Sequence, residues 1–494
     1  MKDINLSAIK TPADIRSMSI EELTQLASEM RSTLINKLSI HGGHVGPNLG
    51  MIEAVIALHY VFDTPTDKIV FDVSHQTYPH KMITGRMKAF TDAAHYDDVT
   101  GYTNPAESEY DLFSLGHTSS AVALAAGLAK ARDLQGGKHN VVAVIGDGSL
   151  SGGVAFEGLD YGATLGSNFI VVVNDNQMSI AENHGGIYAD LRLLRNTNGT
   201  AETNLFNAMG YGYRYVNYGN DIKSLIDMFQ SVRNIDHPVV VHLNTMKGMG
   251  LPIAEADKET YHYSGPFDPK TGTPLYESAP EDSKEDYSEV FAKGMLRRMK
   301  ENKNIVTITA GTPGVLGFDK ERRKEAGRQF IDVGIAEQSA IDVASGLAKG
   351  GIKPVVGFVS SFLQRAYDQF SQDIALNRQA ATFVVFYGSM FGMNDETHLG
   401  FFDIALLSNI PDLLYLAPTC KEEFDAMLEW SVNQDKLPVV VRTPGAIAVS
   451  NQEVKIIEDY SKPMYDIVRK GGNVALIGAG LMFGIMQQAA DILA

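Results

Sequence analysis

Two short turns carry oxygen ligands at the ends of apolar runs. Gly146-Asp147-Gly148 follows NVVAVI, and Asn174-Asp175-Asn176 follows NFIVVV. About thirty residues separate them, enough for a helix and a strand, so both turns return to one edge of a parallel sheet. Asp147 and Asn176 then offer oxygens to a hard cation such as Mg²⁺, which takes one or two protein oxygens and completes its shell with phosphate. Gly146 and Gly148 let backbone N–H groups approach that phosphate, and the following helix N-terminus adds partial positive charge. Either turn alone would be a tight turn and nothing more. Together they predict a site for a phosphate-bearing ligand and its metal. A second loop, VVFYGSMFGMNDETHLG over 384–400, opens from an apolar run into glycines and ends on Thr397 and His398. A strand that opens this way often meets a ligand. No lysine or arginine occurs from Gln379 to Cys420, so a phosphate there would find few cations.

The elements that must hold these turns alternate in type. NVVAVIGDG, NFIVVVNDN and HPVVVHLNT read as buried strands; LGHTSSAVALAAGLAKARDL, EGLDYGATL and DIKSLIDMFQSVRN read as helices. This rhythm predicts α/β architecture, a doubly wound parallel sheet with ligands at the strands' carboxyl ends. The segment GPFDPKTGTPLYESAPEDSKED is rich in Pro, Gly and charge and reads as a linker. The rhythm restarts with NIVTITAGT, RQFIDVGIAEQ, KPVVGFVSS, ATFVVFYGS, DLLYLAPT and LPVVVRTPG. The expected organisation is a diphosphate- and metal-binding domain over 1–270, a linker over 271–293, and a second α/β domain over 294–455. A strand GGNVALIGAG and a helix LMFGIMQQAADILA over 463–494 read as the start of a third α/β domain, cut short.

Composition narrows the class. With 494 residues and a hydrophobic fraction of 44%, the chain suits a multidomain globular enzyme. A formal net charge of −17 argues against nucleic acid and anionic membrane as partners. Cys420 is the single cysteine, so no disulfide forms within the chain. The N-terminus lacks a signal-peptide apolar core, and no apolar twenty-mer is present. A cytoplasmic location is expected.

The GDG…NDN pair resembles the thiamine diphosphate fingerprint of the transketolase superfamily. HGGHVGPNLGMIEAVIALHYVFDTPTDKIVFDVSHQTYPHKMITGR, SEYDLFSLGHTSS, GDGSLSGGVAFEGL, NDNQMSI, FIDVGIAEQSA and SSFLQRAYDQ look like the 1-deoxy-D-xylulose-5-phosphate synthase branch, from about Ile40 to Pro444. The resemblance implies two thiamine diphosphate-binding α/β domains that sandwich the cofactor, Mg²⁺, and a homodimer. It implies decarboxylation of pyruvate and transfer of a two-carbon unit to glyceraldehyde 3-phosphate or a different aldehyde, in isoprenoid biosynthesis.

Site residues follow from the matched motifs. Glu337 in GIAEQ is placed where the superfamily's glutamate bonds the aminopyrimidine ring, a role that favours a desolvated carboxyl. Phe362 matches the aromatic that stacks on that ring, and Arg365 lies one turn on. His44, His75, His117, His262 and His398 match active-site histidines, suited to proton transfer near neutral pH. Gly116 and Thr118 flank His117 where the family contacts the cofactor. Ser149 follows the GDG turn, and Met178 matches a backbone carbonyl ligand of the metal beside Asp147 and Asn176. Lys247 in TMKGMG is a candidate diphosphate contact. Leu251 stands where the family has a cofactor-side aromatic.

The match breaks at the 384–400 loop. The family's DRAGLVGADGxTH reads FYGSMFGMNDETH here, with Tyr387 for its arginine and Asn394 for an aspartate. Gly445 replaces the second arginine of VRYPRG, and Val359 replaces a tyrosine before Phe362. The resemblance assigns both arginines to the acceptor's phosphate. Neither tyrosine nor glycine supplies a bidentate charged grip, and one such contact is worth about 1.5–3 kcal/mol. The expected acceptor is an aldehyde other than glyceraldehyde 3-phosphate, or an unphosphorylated one, unless Arg442 or Arg365 compensates. The alternatives are transketolase-type ketose cleavage by a divergent paralogue and a non-catalytic cofactor-binding paralogue.

Overall fold

The computed structural model describes residues 4–275, 285–390, 395–445, 447–462, 465 and 467–494. The chain divides into two compact units, Met1–Glu277 and Ser278–Ala494.

The first unit is built on five parallel strands: β1 (Lys68–Phe71), β2 (Val141–Gly146), β3 (Phe169–Asp175), β4 (Gly212–Val216) and β5 (Pro238–Asn244), in the order β1-β2-β3-β5-β4. Successive strand side chains point to opposite faces. Val142, Val144, Ile170, Val172, Val239 and Val241 therefore join one core with helices Ile20–His41, Gly46–Val61 and Ile222–Val232. Their strand neighbours Val141, Ala143, Ile145, Val171 and Val173 pack on the other face against helices Ala121–Leu134 and Gly153–Ala163. Both faces are covered, which is why these strands are nearly continuous runs of valine and isoleucine.

The helix read from LGHTSSAVALAAGL starts only at Ala121. The Asp72 carboxylate at the end of β1 accepts from Ser119 N and Ala121 N at 2.8 and 3.0 Å, and Ser119 is left-handed at φ 75°. Gly116, His117 and Thr118 are thereby kept in a loop beside the sheet edge.

The second unit has six parallel strands: β6 (Ile305–Thr309), β7 (Phe330–Asp332), β8 (Lys353–Val359), β9 (Thr382–Phe386), β10 (Leu414–Leu416) and β11 (Val439–Arg442), in the order β10-β11-β9-β8-β6-β7. Helix Glu337–Lys349 covers one face through Ala340, Ile341 and Ala344; helices Tyr287–Glu301 and Lys421–Asn433 cover the other. The strand expected within GGNVALIGAG does not form, and Val474 and Ile477 are 76% and 88% exposed. An apolar run becomes a strand only where neighbours take up its N–H and C=O groups. Helix Met482–Leu493 does form and has no buried residue.

Candidate functional site

Four of the five strand ends of the first unit lead to a residue singled out in the sequence. β1 leads to His75, β2 to Asp147, β3 to Asn176, and β5 to Lys247. Parallel pairing places these ends on one edge. His44 precedes helix Gly46–Val61, and a pair of backbone bonds between Gly43 and Ser264 (2.8 and 3.0 Å) brings the His262 segment to it.

Three histidines converge. The His44 and His75 rings lie 4.9 Å apart edge-on, His75 and His262 stack at 5.1 Å, and His44 and His262 stand 5.8 Å apart. Tyr102 and Tyr263 flank His44 at 5.7 and 5.0 Å. Burial, with Lys247 and the other two histidines adding to it, pushes the pKa of His262 well below its ordinary value, so the ring is neutral. Lys247 lies 3.0 Å from His262 Nδ1 and donates to Ser179 O at 2.6 Å. Burial depresses its ammonium to about 7. Lys247 thus links the turn after β3 to the histidine cluster. His117 and Thr118 sit in the neighbouring loop, tied to the GDG turn where Ser119 Oγ donates to Ser149 O at 2.8 Å. Leu251 is buried in the apolar core.

Asp147 is 1% exposed and accepts from Asn183 Nδ2 at 2.7 Å. Burial raises its pKa well above the usual carboxylate range, and the negative charge of nearby Asp175 raises it further. Asp175 stays low although burial opposes ionisation, because His242 and Arg195 both bond its carboxylate. Among the described residues no group of three or more His, Cys, Asp or Glu is arranged to hold a metal. The donors expected from the sequence are one carboxylate (Asp147), one amide (Asn176) and the carbonyl of Met178. That donor set fits a hard cation completed by phosphate better than a soft or imidazole-bound one. An added Cβ at Gly146 would meet nothing within 4 Å, whereas one at Gly148 would meet Ser179 Cβ at 2.7 Å. Gly146 leaves open space against its backbone, and Gly148 permits the close approach of the β3 turn.

The second unit gathers a different set at its strand ends. Glu337 opens helix Glu337–Lys349 just after β7, with Gly334 left-handed at φ 77° between them. It is 3% exposed, and its Oε2 accepts no hydrogen bond among the described residues. Arg365 Nη1 stands 3.7 Å away. Burial raises the Glu337 pKa, partly offset by Arg365. Such an orphaned buried carboxyl fits a partner that brings its own N–H, as an aminopyrimidine ring does. Phe362 follows β8, and its ring lies 5.5 Å from that of His398, edge-on. His398 Nδ1 is 2.8 Å from Thr397 Oγ1.

The altered loop is also in this unit. Tyr387, at the end of β9, is left-handed at φ 55°. Arg442, at the end of β11, is taken up internally: its Nε donates to Asp403 Oδ2 at 2.8 Å and its Nη2 to Gly400 O at 3.2 Å. Gly388 packs directly on the Arg442 side chain; an added Cβ would lie 2.8 Å from Arg442 Cγ. Asn394 lies outside the described residues. Sequence reading missed Asn183, Arg195, His242 and Asp403. Asp175 was visible in the NDN motif, and a histidine inside VVVHLN was the available sign of a buried polar partner. Asn183, Arg195 and Asp403 carried no signal before the fold was known.

Comparison with known proteins agrees with these motifs. Residues 6–203 match the family described as 1-deoxy-D-xylulose-5-phosphate synthase, and residues 283–447 match the transketolase pyrimidine binding domain. A 1-deoxy-D-xylulose-5-phosphate synthase from Heliobacterium modesticaldum is 37% identical over 99% of this chain and 80% of its own length. Those from Desulforudis audaxviator and Geobacter sulfurreducens are each 36% identical, over 99% of this chain and 82% of their own length. A solved transketolase from Campylobacter jejuni has a TM-score of 0.43 at 17% identity, covering 88% of this chain and 80% of that one. The identity to the synthases, sustained along the whole chain, means that it belongs to the 1-deoxy-D-xylulose-5-phosphate synthase family of thiamine diphosphate-dependent transferases.

Proposed function

We propose that this chain releases CO₂ from pyruvate and passes the remaining two-carbon unit to an aldehyde that it does not grip through a phosphate. Bound thiamine diphosphate supplies the nucleophilic carbon for this chemistry. Asp147, Asn176 and the Met178 carbonyl hold Mg²⁺. Gly116, His117, Thr118, Gly146, Gly148, Ser149 and Lys247 line the diphosphate side. Glu337 exchanges a proton with the aminopyrimidine, and Phe362 stacks on it beside Arg365. His44, His75, His262 and His398 give and take protons at substrate oxygens. The observation that carries the reading is Glu337: buried, raised in pKa, and with one oxygen lacking a hydrogen-bond donor among the described residues.

The acceptor reading rests on Tyr387, Gly445 and Arg442. The first two bring no positive charge to a phosphate, and Arg442 is already committed to Asp403. The chain acts as a homodimer in the cytoplasm, which belongs to the same proposal. No helix among the described residues is long and apolar enough to cross a membrane.

The test is pyruvate-dependent CO₂ release with thiamine diphosphate and Mg²⁺, run with glyceraldehyde 3-phosphate and, in parallel, with glyceraldehyde. Turnover with the unphosphorylated aldehyde is expected. Strong stimulation by the phosphorylated one alone overturns the acceptor reading.

A further inference from the structure

We propose that His242 is a positioning residue for the cation site, acting through Asp175 to hold the turn that presents Asn176 and Met178. The inference rests on the assignment of Asp147, Asn176 and Met178 as cation ligands. His242 lies on β5 with its side chain fully buried, in register with Val173 of β3 and Tyr215 of β4. Both ring nitrogens are engaged. Nε2 lies 2.9 Å from Asp175 Oδ2, and Nδ1 lies 2.8 Å from the Tyr213 hydroxyl. A carboxylate only accepts, so Nε2–H donates to Asp175; in the neutral ring Nδ1 then accepts from the Tyr213 O–H. The Tyr215 ring closes the pocket edge-on at 5.2 Å.

Asp175 turns this chain of bonds into backbone geometry. Its Oδ2 also takes the Arg195 guanidinium, and its Oδ1 accepts from Gln177 N at 3.1 Å. Gln177 is left-handed at φ 69°, a conformation that a residue with a side chain holds only when its surroundings impose it. Asn176 lies between Asp175 and Gln177, and its Oδ1 accepts from Met178 N at 3.2 Å. The turn carrying two of the three assigned ligands is therefore pinned from behind by one carboxylate, itself fixed by His242 and Arg195. Arg195 comes from a helix and supplies charge. His242 comes from the adjacent strand and supplies direction, because its ring is locked at both nitrogens.

The test is calorimetric titration of thiamine diphosphate into the cofactor-free protein at a series of Mg²⁺ concentrations. Its readout is the Mg²⁺ concentration giving half-maximal cofactor binding. His242→Leu is expected to raise it by about tenfold or more, as loss of a residue behind a ligand commonly does. His242→Gln, which can donate to Asp175 and accept from Tyr213, is expected to restore most of the loss. A folded His242→Leu protein with unchanged Mg²⁺ requirement overturns the proposal. If His242→Leu does not unfold cooperatively, Tyr213→Phe decides: a rise of about threefold supports the proposal, and no change overturns it. Asp147→Ala separates the underlying assignment. If that variant keeps its Mg²⁺ dependence, the cation-ligand assignment fails whatever His242 does.

Discussion

Arg365 Nη1 stands 3.7 Å from Glu337 Oε2, and the Glu337 side chain is almost completely buried. The guanidinium is near enough to moderate the carboxyl and too far to bond it well. Glu337 therefore keeps a raised pKa and an oxygen open to a ligand. Replacing Glu337 with Gln preserves size and removes proton exchange. Turnover of pyruvate is expected to fall by about 10²–10⁴-fold, with thiamine diphosphate affinity changed only a few-fold. Steady-state kinetics and calorimetry on the same preparation check both halves.

Gly148 and Gly146 separate packing from ligand contact. Ala at Gly148 pushes on Ser179, whose carbonyl is the acceptor of Lys247, and is expected to cost about 1–3 kcal/mol of stability. Ala at Gly146 points into open space and is expected to leave the thermal midpoint unchanged while weakening cofactor binding. Thermal unfolding without cofactor, compared with calorimetric affinity, distinguishes them.

Arg442 tests whether the cation at the end of β11 is structural. Asp403 is fully buried and is bonded by Arg442 and by the Tyr415 hydroxyl at 2.5 Å. Arg442→Ala leaves that carboxylate buried without its cation, which commonly costs about 3–5 kcal/mol. Denaturant unfolding measures the loss. A change below about 1 kcal/mol would mean that the guanidinium is free to serve a ligand.

Acid stability should report three buried histidines. Burial lowers the pKa of His59, His80 and His262, in His80 despite its bond to Asp111. Their folded pKa values lie below that of the unfolded chain, so the unfolded state binds more protons as pH falls. Stability is then full above about pH 6.5 and declines below it, by up to about 1.4 kcal/mol per pH unit for each histidine. Urea unfolding at pH 7.5, 6.5 and 5.5 should show this decline. His59→Gln should make it shallower by about one proton.

The sequence by itself determined the family, the cofactor and most of the strand ends. Those signals are local: an apolar run, then a turn whose glycines and oxygens must stand side by side. Valine-rich β2, β3 and β5 could be read because both sheet faces are covered, and the start of the Ala121–Leu134 helix was misplaced because its limit comes from Asp72, 49 residues earlier. The strand expected near Val474 failed for the same kind of reason, since pairing partners are not a property of the run itself. Only tertiary structure decided what each polar group is already bonded to. It committed Arg442 to Asp403, left Glu337 Oε2 without a donor among the described residues, and put His242 behind Asp175, 67 residues away in sequence. Burial and hydrogen-bond satisfaction depend on residues distant along the chain, and they set which carboxylates and cations remain available for chemistry.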